Sequence, residues 1–171
     1  MIDSAVAQFG LTLRRIRSED KKTLFQWRNL DEIVALSSTR RHITWEEHCL
    51  WFNKALEGSR CMVFLVEANS KPVGLVRFDA KETHGSTISI YLIPGETGKG
   101  RGAALIRGAC IRAVSIWRRL QWVEARVRSD NYRSIKAFER AGFAHQAQGQ
   151  ELLDDHVSLR WSRSNVVSEG A

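Results

Sequence analysis

The chain has 171 residues and a mass of 19.5 kDa, which favours one domain with a core of its own. Its 43% hydrophobic and 26% charged residues are ordinary for a globular protein, and no apolar run is long enough to span a membrane. The net charge of +7 and the pI near 9.8 favour an anionic partner. Charge alone does not choose among nucleic acid, a membrane surface and a phosphate-bearing small molecule. Nucleic acid is disfavoured, because the lysines and arginines are spread along the whole chain without a nucleic-acid-binding motif, and no membrane partner is expected.

The N-terminus and the cysteines indicate the cytoplasm. The first fifteen residues contain no basic region followed by an apolar stretch, so no secretory signal is expected. Cys49, Cys61 and Cys110 are widely spaced and form no C-x-x-C pair, which argues against a disulfide framework and against a zinc site. We therefore expect three free, buried thiols and no bound metal.

One strand and three helices are predicted before residue 60. Residues 11–16 alternate as a strand does, and a helix follows from Ser18. A short helix is expected over residues 31–36, and a longer one begins at Thr44, which has capping-box spacing to Glu47. The apolar face of the longer helix is expected to contain Trp45, Cys49, Phe52 and Leu56.

The middle of the chain has the period of β-structure. Residues 61–68 and 73–80 are predicted to form a hairpin around a turn at residues 69–72. A third strand is expected over residues 86–93, ended by Pro94. Strict alternation in this third strand places Ile88, Ile90 and Leu92 on one face, and Ser89, Tyr91 and Ile93 on the other.

The C-terminal half alternates between helix and strand. A helix is predicted from Gly102 to about Trp117, then a strand over residues 122–127 and a helix over residues 132–140 that ends at Gly142. Two closing strands, residues 143–150 and 156–161, complete the pattern. The buried side of the first helix is expected to contain Leu105, Ile106, Ala109, Cys110, Ala113 and Ile116. This order predicts a single α/β (α+β) domain over residues 1–171, with its core at about 11–161 and a mixed sheet covered by helices.

A glycine-rich turn, residues 94–102 (PGETGKGRG), separates the third predicted strand from the long helix. Glycines let the backbone bend tightly and expose its amides, and the following helix adds unpaired N–H groups and its positive dipole end. Lys99 and Arg101 add full charges, so the turn predicts a diphosphate site. A flexible linker is the alternative, and the strand before and helix after disfavour it. The spacing fits neither a nucleotide P-loop nor a dinucleotide fold.

Two ordered motifs resemble the GNAT N-acetyltransferase superfamily. The acetyl-CoA loop of that family reads [RQ]-x-x-G-x-[GA], and residues 97–102 match it except that Thr97 replaces Arg or Gln. Downstream, residues 129–143 resemble the segment N-x-x-[SA]-x-x-x-[YF]-x-x-x-G-F. The matching residues of this second segment are Asn131, Ser134, Phe138, Gly142 and Phe143.

The resemblance implies a mostly antiparallel sheet that splays between the strand ending at Ile93 and the strand ending at Arg128. It also implies acetyl-CoA as cosubstrate, with the pantetheine arm in the gap and contacts from the backbone of Ile90 and Leu92. For Asn131, a helix N-cap is an equally good interpretation. The expected cofactor-binding residues are Ile90, Leu92, Thr97, Gly98, Lys99, Gly100, Arg101, Gly102, Ala103, Asn131, Ser134 and Phe138.

Acetyl transfer needs a neutral amine, a donor for the developing oxyanion and a proton for the leaving thiolate. The family often uses a tyrosine as the acid, but the matching residue here is Phe138, which has no proton to donate. Tyr91 and Tyr132 are the nearby alternatives, although a strand tyrosine more often serves packing. For the base, the sequence offers Glu82, His84 or a water held by Ser89. We expect direct attack and assign Tyr91, Ser89 and His84 as the catalytic candidates.

The acceptor side is expected to come from the N-terminal helices, through the runs W-R-N at residues 27–29 and E-E-H-x-x-W-F at residues 46–52. Aromatic rings stack on a base, an arginine binds a diphosphate bidentately, and a histidine donates to a sugar or phosphate oxygen. Core packing is the alternative for each residue alone. The expected substrate-binding residues are Trp27, Arg28, Asn29, His48 and Trp51.

These two runs resemble a GNAT subgroup that acetylates the 4-amino group of a UDP-linked amino-sugar in pseudaminic acid biosynthesis. That resemblance implies a UDP-amino-sugar as the small-molecule acceptor. Ribosomal-protein N-terminal acetyltransferases share much of the same helical front and are the alternative within the superfamily. A polyamine acceptor is less favoured, because the acidic residues do not cluster. A non-catalytic acetyl-CoA sensor or RNA-binding module is the alternative from another class. The oligomeric state is open, and a homodimer is one option.

Overall fold

The computed structural model describes residues 4–7, 9–37, 39–82, 84–146 and 155–164. In chain order its elements are α1 (Ser4–Ala7), β1 (Leu11–Arg15), a 3-10 turn (Ser18–Asp20), α2 (Lys21–Arg28), α3 (Asp31–Leu36), α4 (Trp45–Glu57), β2 (Cys61–Ala68), β3 (Lys71–Ala80), β4 (Gly85–Leu92), α5 (Gly102–Ile116), β5 (Trp122–Arg128), α6 (Tyr132–Arg140), β6 (Ala144–His145) and β7 (His156–Ser162). Within these ranges no helix is both long and apolar enough to cross a membrane.

The strands form one sheet in the order β1-β2-β3-β4-β5-β7-β6. All neighbouring strands in the described sheet pair antiparallel except β4 and β5, which run parallel. The parallel pair is joined by α5, as a crossover connection requires. The predicted mixed, mostly antiparallel sheet flanked by helices is confirmed.

The sheet opens between β4 and β5. These strands pair only over their first residues, from Gly85 opposite Trp122 to Thr87 opposite Glu124. Beyond that point β4 continues to Leu92 along β3, and β5 continues to Arg128 along β7. Within the described sheet, the edge of β4 that faces β5 therefore has no strand partner over residues 88–92. The predicted splay is present, and its open end is the end where the glycine turn begins.

Two apolar layers cover the two faces of the sheet. One face packs against α1, α5 and α6, and includes Ile88, Leu105 and Phe138. The other packs against α2 and α4, with Leu24 and Phe52 lying on strand residues. Ile90 and Leu92 contact the first layer and Tyr91 the second, so the predicted alternation along β4 is confirmed.

Most predicted elements are present, with small shifts of their ends. The hairpin turn is tighter than expected: β3 begins at Lys71, because Asn69 and Ser70 adopt positive φ angles of 50° and 62° and form a two-residue turn. Thr44 caps α4 by accepting from the Glu47 amide, as the capping box predicts. Of the predicted strand 143–150, the structure shows Ala144–His145, and residues 147–154 lie outside the described ranges.

Three predicted positions on helix faces are wrong. Trp45 and Leu56 of α4 are 43% and 39% exposed, while His48 and Ala55 are buried in their place. Ile116 at the end of α5 is 44% exposed, because the helix runs past the edge of the core there and Val114 is buried instead. The cysteines are free thiols, and burial of Cys110 is complete, but Cys49 and Cys61 are only half-buried.

Candidate active site

The glycine turn folds as the sequence predicts, with left-handed glycines. Gly95, Gly98 and Gly100 have φ angles of 83°, 80° and 72°, a region that favours glycine over all other residues. A Cβ added at Gly100 would meet no atom within 4 Å, so the space beside this residue is open. Gly102 has ordinary helical geometry and its nearest neighbour is Ala137 of α6, at 3.5 Å from an added Cβ. The turn thus leaves room at Gly100 for a ligand to approach the backbone.

The first turn of α5 offers uncapped donors to this space. Arg101 is the N-cap residue, and its side chain makes no capping hydrogen bond. The first helical bond runs from the Leu105 amide to the Arg101 carbonyl, so the preceding amides of the helix have no intrahelical acceptor. The Arg101 Nε is also buried and unpaired. Backbone amides, a positive helix end and an unpaired N–H together suit an oxyanion.

The two charged side chains of the turn are already engaged by an acid that the sequence reasoning overlooked. Glu96 accepts from Lys99 Nζ at 2.9 Å and from Arg101 Nη2 at 2.6 Å. These two cations hold the pKa of the Glu96 carboxyl below its usual range. Lys99 and Arg101 were expected to present free charges to a diphosphate, and the structure corrects this: part of their charge is balanced inside the turn.

The second motif lies beside the turn. Asn131 caps α6, since its Oδ1 accepts from the Ser134 amide at 3.1 Å, which confirms the N-cap interpretation. Phe138 is 3% exposed and packs edge-on against Phe143, with ring centroids 4.9 Å apart. Phe138 is therefore a core residue of the layer under α6, and it carries no polar atom toward the splay.

The three catalytic candidates lie on β4 or directly before it, and not all of them are at the open end of the splay. Tyr91 is on the α2 and α4 face near the open end of the splay, where burial raises the pKa of its hydroxyl and the charge of Arg28 opposes that rise. Ser89 is on the same face and exposed, opposite Arg77 of β3. His84 precedes the other end of the strand, where β4 and β5 pair. Eight strand residues separate it from the glycine turn, about 25 Å along β4, so the structure does not bring His84 to the open end.

Arg28 connects α2 with the segment between α3 and α4. Its Nη2 donates to Ser37 Oγ at 3.2 Å and Thr39 Oγ1 at 3.0 Å, and its Nη1 reaches the Arg41 carbonyl at 3.5 Å. None of these partners is charged, and burial lowers the pKa of the guanidinium. Arg28 holds this segment in place, and no described acid forms an ion pair with its guanidinium.

Two other predicted substrate residues form hydrogen bonds to the protein backbone. Asn29 bonds both polar groups of its side chain to the backbone of Ile43: Nδ2 donates to the carbonyl at 3.0 Å, and Oδ1 accepts from the amide at 2.8 Å. His48 is 1% exposed and its Nε2 donates to the Lys21 carbonyl at 2.8 Å. The expected donation from His48 to substrate is therefore wrong, because four aromatic rings enclose its imidazole. Those rings belong to Phe25, Trp45, Trp51 and Phe52.

Trp27 and Trp51 are half-buried and pack against the layer under α2 and α4. The guanidinium of Arg77 lies 5.4 Å from the Trp51 ring, and the Trp51 Nε1 is buried without a partner. Both tryptophans therefore serve core packing in the layer that Tyr91 also contacts, and the Trp51 N–H is left unsatisfied there.

A cleft of about 520 Å³ lies between the end of α3 and the start of α6. Its walls are formed by Ala35, Leu36, Arg40, Arg128, Asp130 and Asn131. Arg128 pairs with Asp130, whereas Arg40 forms no ion pair within the described part of the chain. Leu36 is 62% exposed at the rim. The sequence reasoning missed Arg40 and Arg128, because they come from segments that only the fold brings together.

A second cleft, of about 370 Å³, lies at the opposite end of the sheet. It includes Lys81, His84 and Arg119, beside the paired ends of β4 and β5. It is remote from the splay and from the glycine turn. No group of three or more histidine, cysteine, aspartate or glutamate side chains in the described ranges has the geometry of a metal site.

The sequence of the chain matches one known protein family over most of its length. The model for the acetyltransferase (GNAT) domain matches residues 10–144 of the chain, a range that includes the glycine turn, the splayed strands and α6. The chain belongs to the GNAT acetyltransferase family. It is an N-acetyltransferase, and acetyl-CoA is its cosubstrate. The open backbone at Gly100, the uncapped amides of α5 and the unpaired Arg101 Nε fit the phosphates of that cosubstrate.

Two curated relatives are similar to the chain over most of their length. The chain is 27% identical over 152 residues to acetyltransferase PseH of Campylobacter jejuni serotype O:2, covering 89% of this chain and 93% of that protein. It is 22% identical over 147 residues to acetyltransferase PseH of serotype O:23/36, covering 86% and 90%.

Solved structures share the fold at lower identity. Spermidine N-acetyltransferase from Vibrio cholerae, in complex with CoA and spermine, superposes with a TM-score of 0.80 at 20% identity, covering 93% of this chain and 99% of that one. Aminoglycoside acetyltransferase AAC(6')-Ib in complex with coenzyme A gives 0.78 at 19% identity, covering 94% and 99%.

Proposed function

We propose that the chain transfers the acetyl group of acetyl-CoA to the 4-amino group of a UDP-linked amino-sugar. The observation that carries this proposal is the presence, on the α2–α4 side of the splay, of two arginines that have no acidic partner among the described residues, Arg28 and Arg40. The similarity to the two PseH acetyltransferases supports the same substrate class.

The charge of the cleft distinguishes this acceptor from the polycations that the structural neighbours bind. Spermine and aminoglycosides carry several positive charges, which acidic side chains would have to balance. Among the described residues, the charged lining of the cleft is Arg40, Arg128 and one acid, Asp130, which is paired with Arg128. A diphosphate is the complementary group, because a guanidinium binds phosphate oxygens bidentately. The cleft therefore favours an anionic acceptor.

The acceptor nitrogen has to be neutral when it attacks. An amine attached to a sugar ring is less basic than the lysine side chain, whose ordinary pKa is about 10.4. A strong general base is therefore unnecessary, and the protein contributes chiefly by orienting the amine. Ser89, exposed on the same face of β4 as Tyr91, is the residue we assign to hold a water that takes the amine proton.

Bound acetyl-CoA supplies an activated thioester to the reaction. The unpaired edge of β4 at Ile90 and Leu92 is positioned to hold the pantetheine amides in the splay. Tyr91 is our candidate for the proton donor to the departing thiolate, because its hydroxyl stays protonated and Phe138 has none. The nearby charge of Arg28 stabilises negative charge on the phenol as the proton leaves.

Binding of UDP alone tests the acceptor class without requiring turnover. We expect calorimetric titration to show UDP binding that weakens as salt is added, since it depends on exposed arginine charges. We expect no binding of spermidine under the same conditions. Spermidine binding together with an absence of UDP binding would refute the proposed acceptor while leaving the acetyl-CoA assignment intact.

A further inference from the structure

A third cation reaches the glycine turn from a separate element, α6. A Cβ built on Gly98 would overlap the guanidinium of Arg133, with Cζ at 3.5 Å and Nη1 at 4.0 Å. Gly98 lies at the centre of the turn and has a φ of 80°. The Arg133 side chain therefore lies directly against the backbone of the turn, and any larger residue at position 98 would displace it.

The charge of Arg133 is not used elsewhere in the described structure. Its side chain is exposed and forms no hydrogen bond or ion pair with another described residue. Lys99 and Arg101 share the single carboxylate of Glu96, so three cations surround one acid at the turn. The excess positive charge lies on the α6 side, and Arg133 carries the part of it that no acid balances.

The packing of α6 on α5 fixes this arrangement. Ala137, one turn after Arg133, lies 3.5 Å from an added Cβ at Gly102, the first residue of α5. The first turn of α6 is anchored in addition by the Asn131 cap. Arg133 is consequently presented to the turn by a helix that is anchored at its own N-terminus and packed against the first residue of α5.

We propose that Arg133 binds a phosphate of coenzyme A, so that the cosubstrate is held between the glycine turn and α6 rather than by the turn alone. The guanidinium provides two parallel N–H donors to the oxygens of one phosphate, and the amides of the turn and of α5 bind from the other side. Coenzyme A offers two sources of such oxygens, the diphosphate and the 3'-phosphate, and both have this chemistry.

The test is direct calorimetric binding of coenzyme A to Arg133→Ala. We expect an affinity at least tenfold weaker than wild type, and an unchanged affinity for pantetheine, which has no phosphate. Binding of dephospho-coenzyme A, which lacks the 3'-phosphate, identifies the phosphate that Arg133 contacts. If Arg133→Ala still binds this ligand more weakly than wild type does, the contact is to the diphosphate. If the two proteins bind it equally, the contact is to the 3'-phosphate. A change of twofold or less for coenzyme A would overturn the proposal, and so would an equal loss for pantetheine.

Arg140→Ala is the matched control, because Arg140 is exposed on the same face of α6, two turns and about 10 Å further along. We expect its affinity for coenzyme A to equal that of wild type. Arg133→Lys should recover part of the lost affinity, since lysine keeps the positive charge but cannot donate two parallel hydrogen bonds to one phosphate. Equal losses in the Arg133 and Arg140 variants would show a general effect of net charge and would also overturn the proposal. No acceptor is involved, so failure here is separate from failure of the UDP-amino-sugar assignment.

Discussion

The guanidinium of Arg28 and the phenol of Tyr91 interact across the α2–α4 side of the splay, although they come from a helix and a strand more than sixty residues apart in the sequence. Burial raises the pKa of Tyr91, and the positive charge of Arg28 opposes that rise. The pair places a protonated hydroxyl and a fixed positive charge at the open end of β4, next to the segment that Arg28 holds. A hydroxyl that can donate a proton and a positive charge that stabilises the resulting anion thus lie together there.

Replacing Tyr91 with phenylalanine tests its role as proton donor. We expect Tyr91→Phe to lower kcat by about 10- to 100-fold with little change in the KM for acetyl-CoA, because the step affected is departure of the thiolate. Because the pKa of the hydroxyl lies above its ordinary value, the wild-type enzyme should show no activity loss from Tyr91 ionisation as pH rises to 10. Steady-state kinetics over this pH range check both statements. A kcat within twofold of wild type would remove Tyr91 from the mechanism.

Arg40 and Arg41 form a matched pair for testing the acceptor site. Arg40 lines the 520 Å³ cleft and forms no ion pair with any residue that the structure describes, whereas Arg41 is paired with Glu47 at 2.6 Å. We expect Arg40→Gln to raise the KM for the acceptor by about tenfold and to leave the KM for acetyl-CoA unchanged, since one charge-assisted contact is lost. Arg41→Gln, with the same change in net charge, should leave both constants near wild type. Equal effects of the two substitutions on the acceptor would count against the cleft.

The glycine turn offers its own internal control. Gly95 and Gly100 both have positive φ and open space where a Cβ would lie. Alanine at either position should cost roughly 1 kcal/mol of folding free energy for the left-handed backbone. Only Gly100→Ala should also weaken coenzyme A binding, by about tenfold or more, because position 100 adjoins the amides of α5. Denaturant unfolding and calorimetry separate the two effects, and equal binding losses would show that the turn responds only to strain.

His48 makes folding stability depend on pH. Burial lowers the pKa of its imidazole below the ordinary 6.5, with a smaller opposing effect from its bond to the Lys21 carbonyl and a further lowering by the charge of Lys21. Below pH 6.5 the unfolded chain therefore binds a proton that the folded chain does not, and stability falls as pH falls, until the folded-state pKa is reached. The slope is up to about 1.4 kcal/mol per pH unit.

His48→Gln removes this titration while keeping an N–H donor for the Lys21 carbonyl. Between pH 7.5 and 5.5 the variant should lose less stability than wild type, as measured by urea unfolding at each pH. Acidic groups with lowered pKa values, such as Asp20 and Glu124, also stabilise the fold less as pH falls, but at lower pH than His48. They affect both proteins alike. Identical losses in the two proteins would show that the imidazole is protonated in the folded state.

Local sequence patterns predicted those features whose geometry depends on neighbouring residues. The Asn131 cap and the Thr44 capping box satisfy backbone groups within a few positions, and the glycine turn depends on the φ angles of its own residues, so spacing alone identifies all three. The alternation along β4 likewise placed Tyr91 opposite to Ile90. Family motifs added the splay, which no local pattern indicates.

Features that depend on how the chain folds back on itself could not be predicted from the sequence. The sequence predicted a substrate-binding role for His48, because it does not show that rings from α2 and α4 together bury the imidazole. Glu96 lay within the motif, but its pairing with Lys99 and Arg101 depends on how the turn folds back on itself. Arg133 reaches Gly98 only because α6 packs on α5. In each case the decisive contact depends on the path of the folded backbone, which residue spacing alone does not show.

Acceptor-dependent release of thiol from acetyl-CoA is the most direct measurement of the proposed function. A UDP-linked 4-amino-sugar, spermidine, an aminoglycoside and peptides with N-terminal alanine or serine would be compared at equal concentrations. We expect kcat/KM for the UDP-amino-sugar to exceed the other values by about 100-fold or more, with mass spectrometry showing one acetyl group added and the nucleotide intact. Faster release with spermidine or a peptide, or no acceptor-dependent release with the UDP-amino-sugar, would contradict the proposed function.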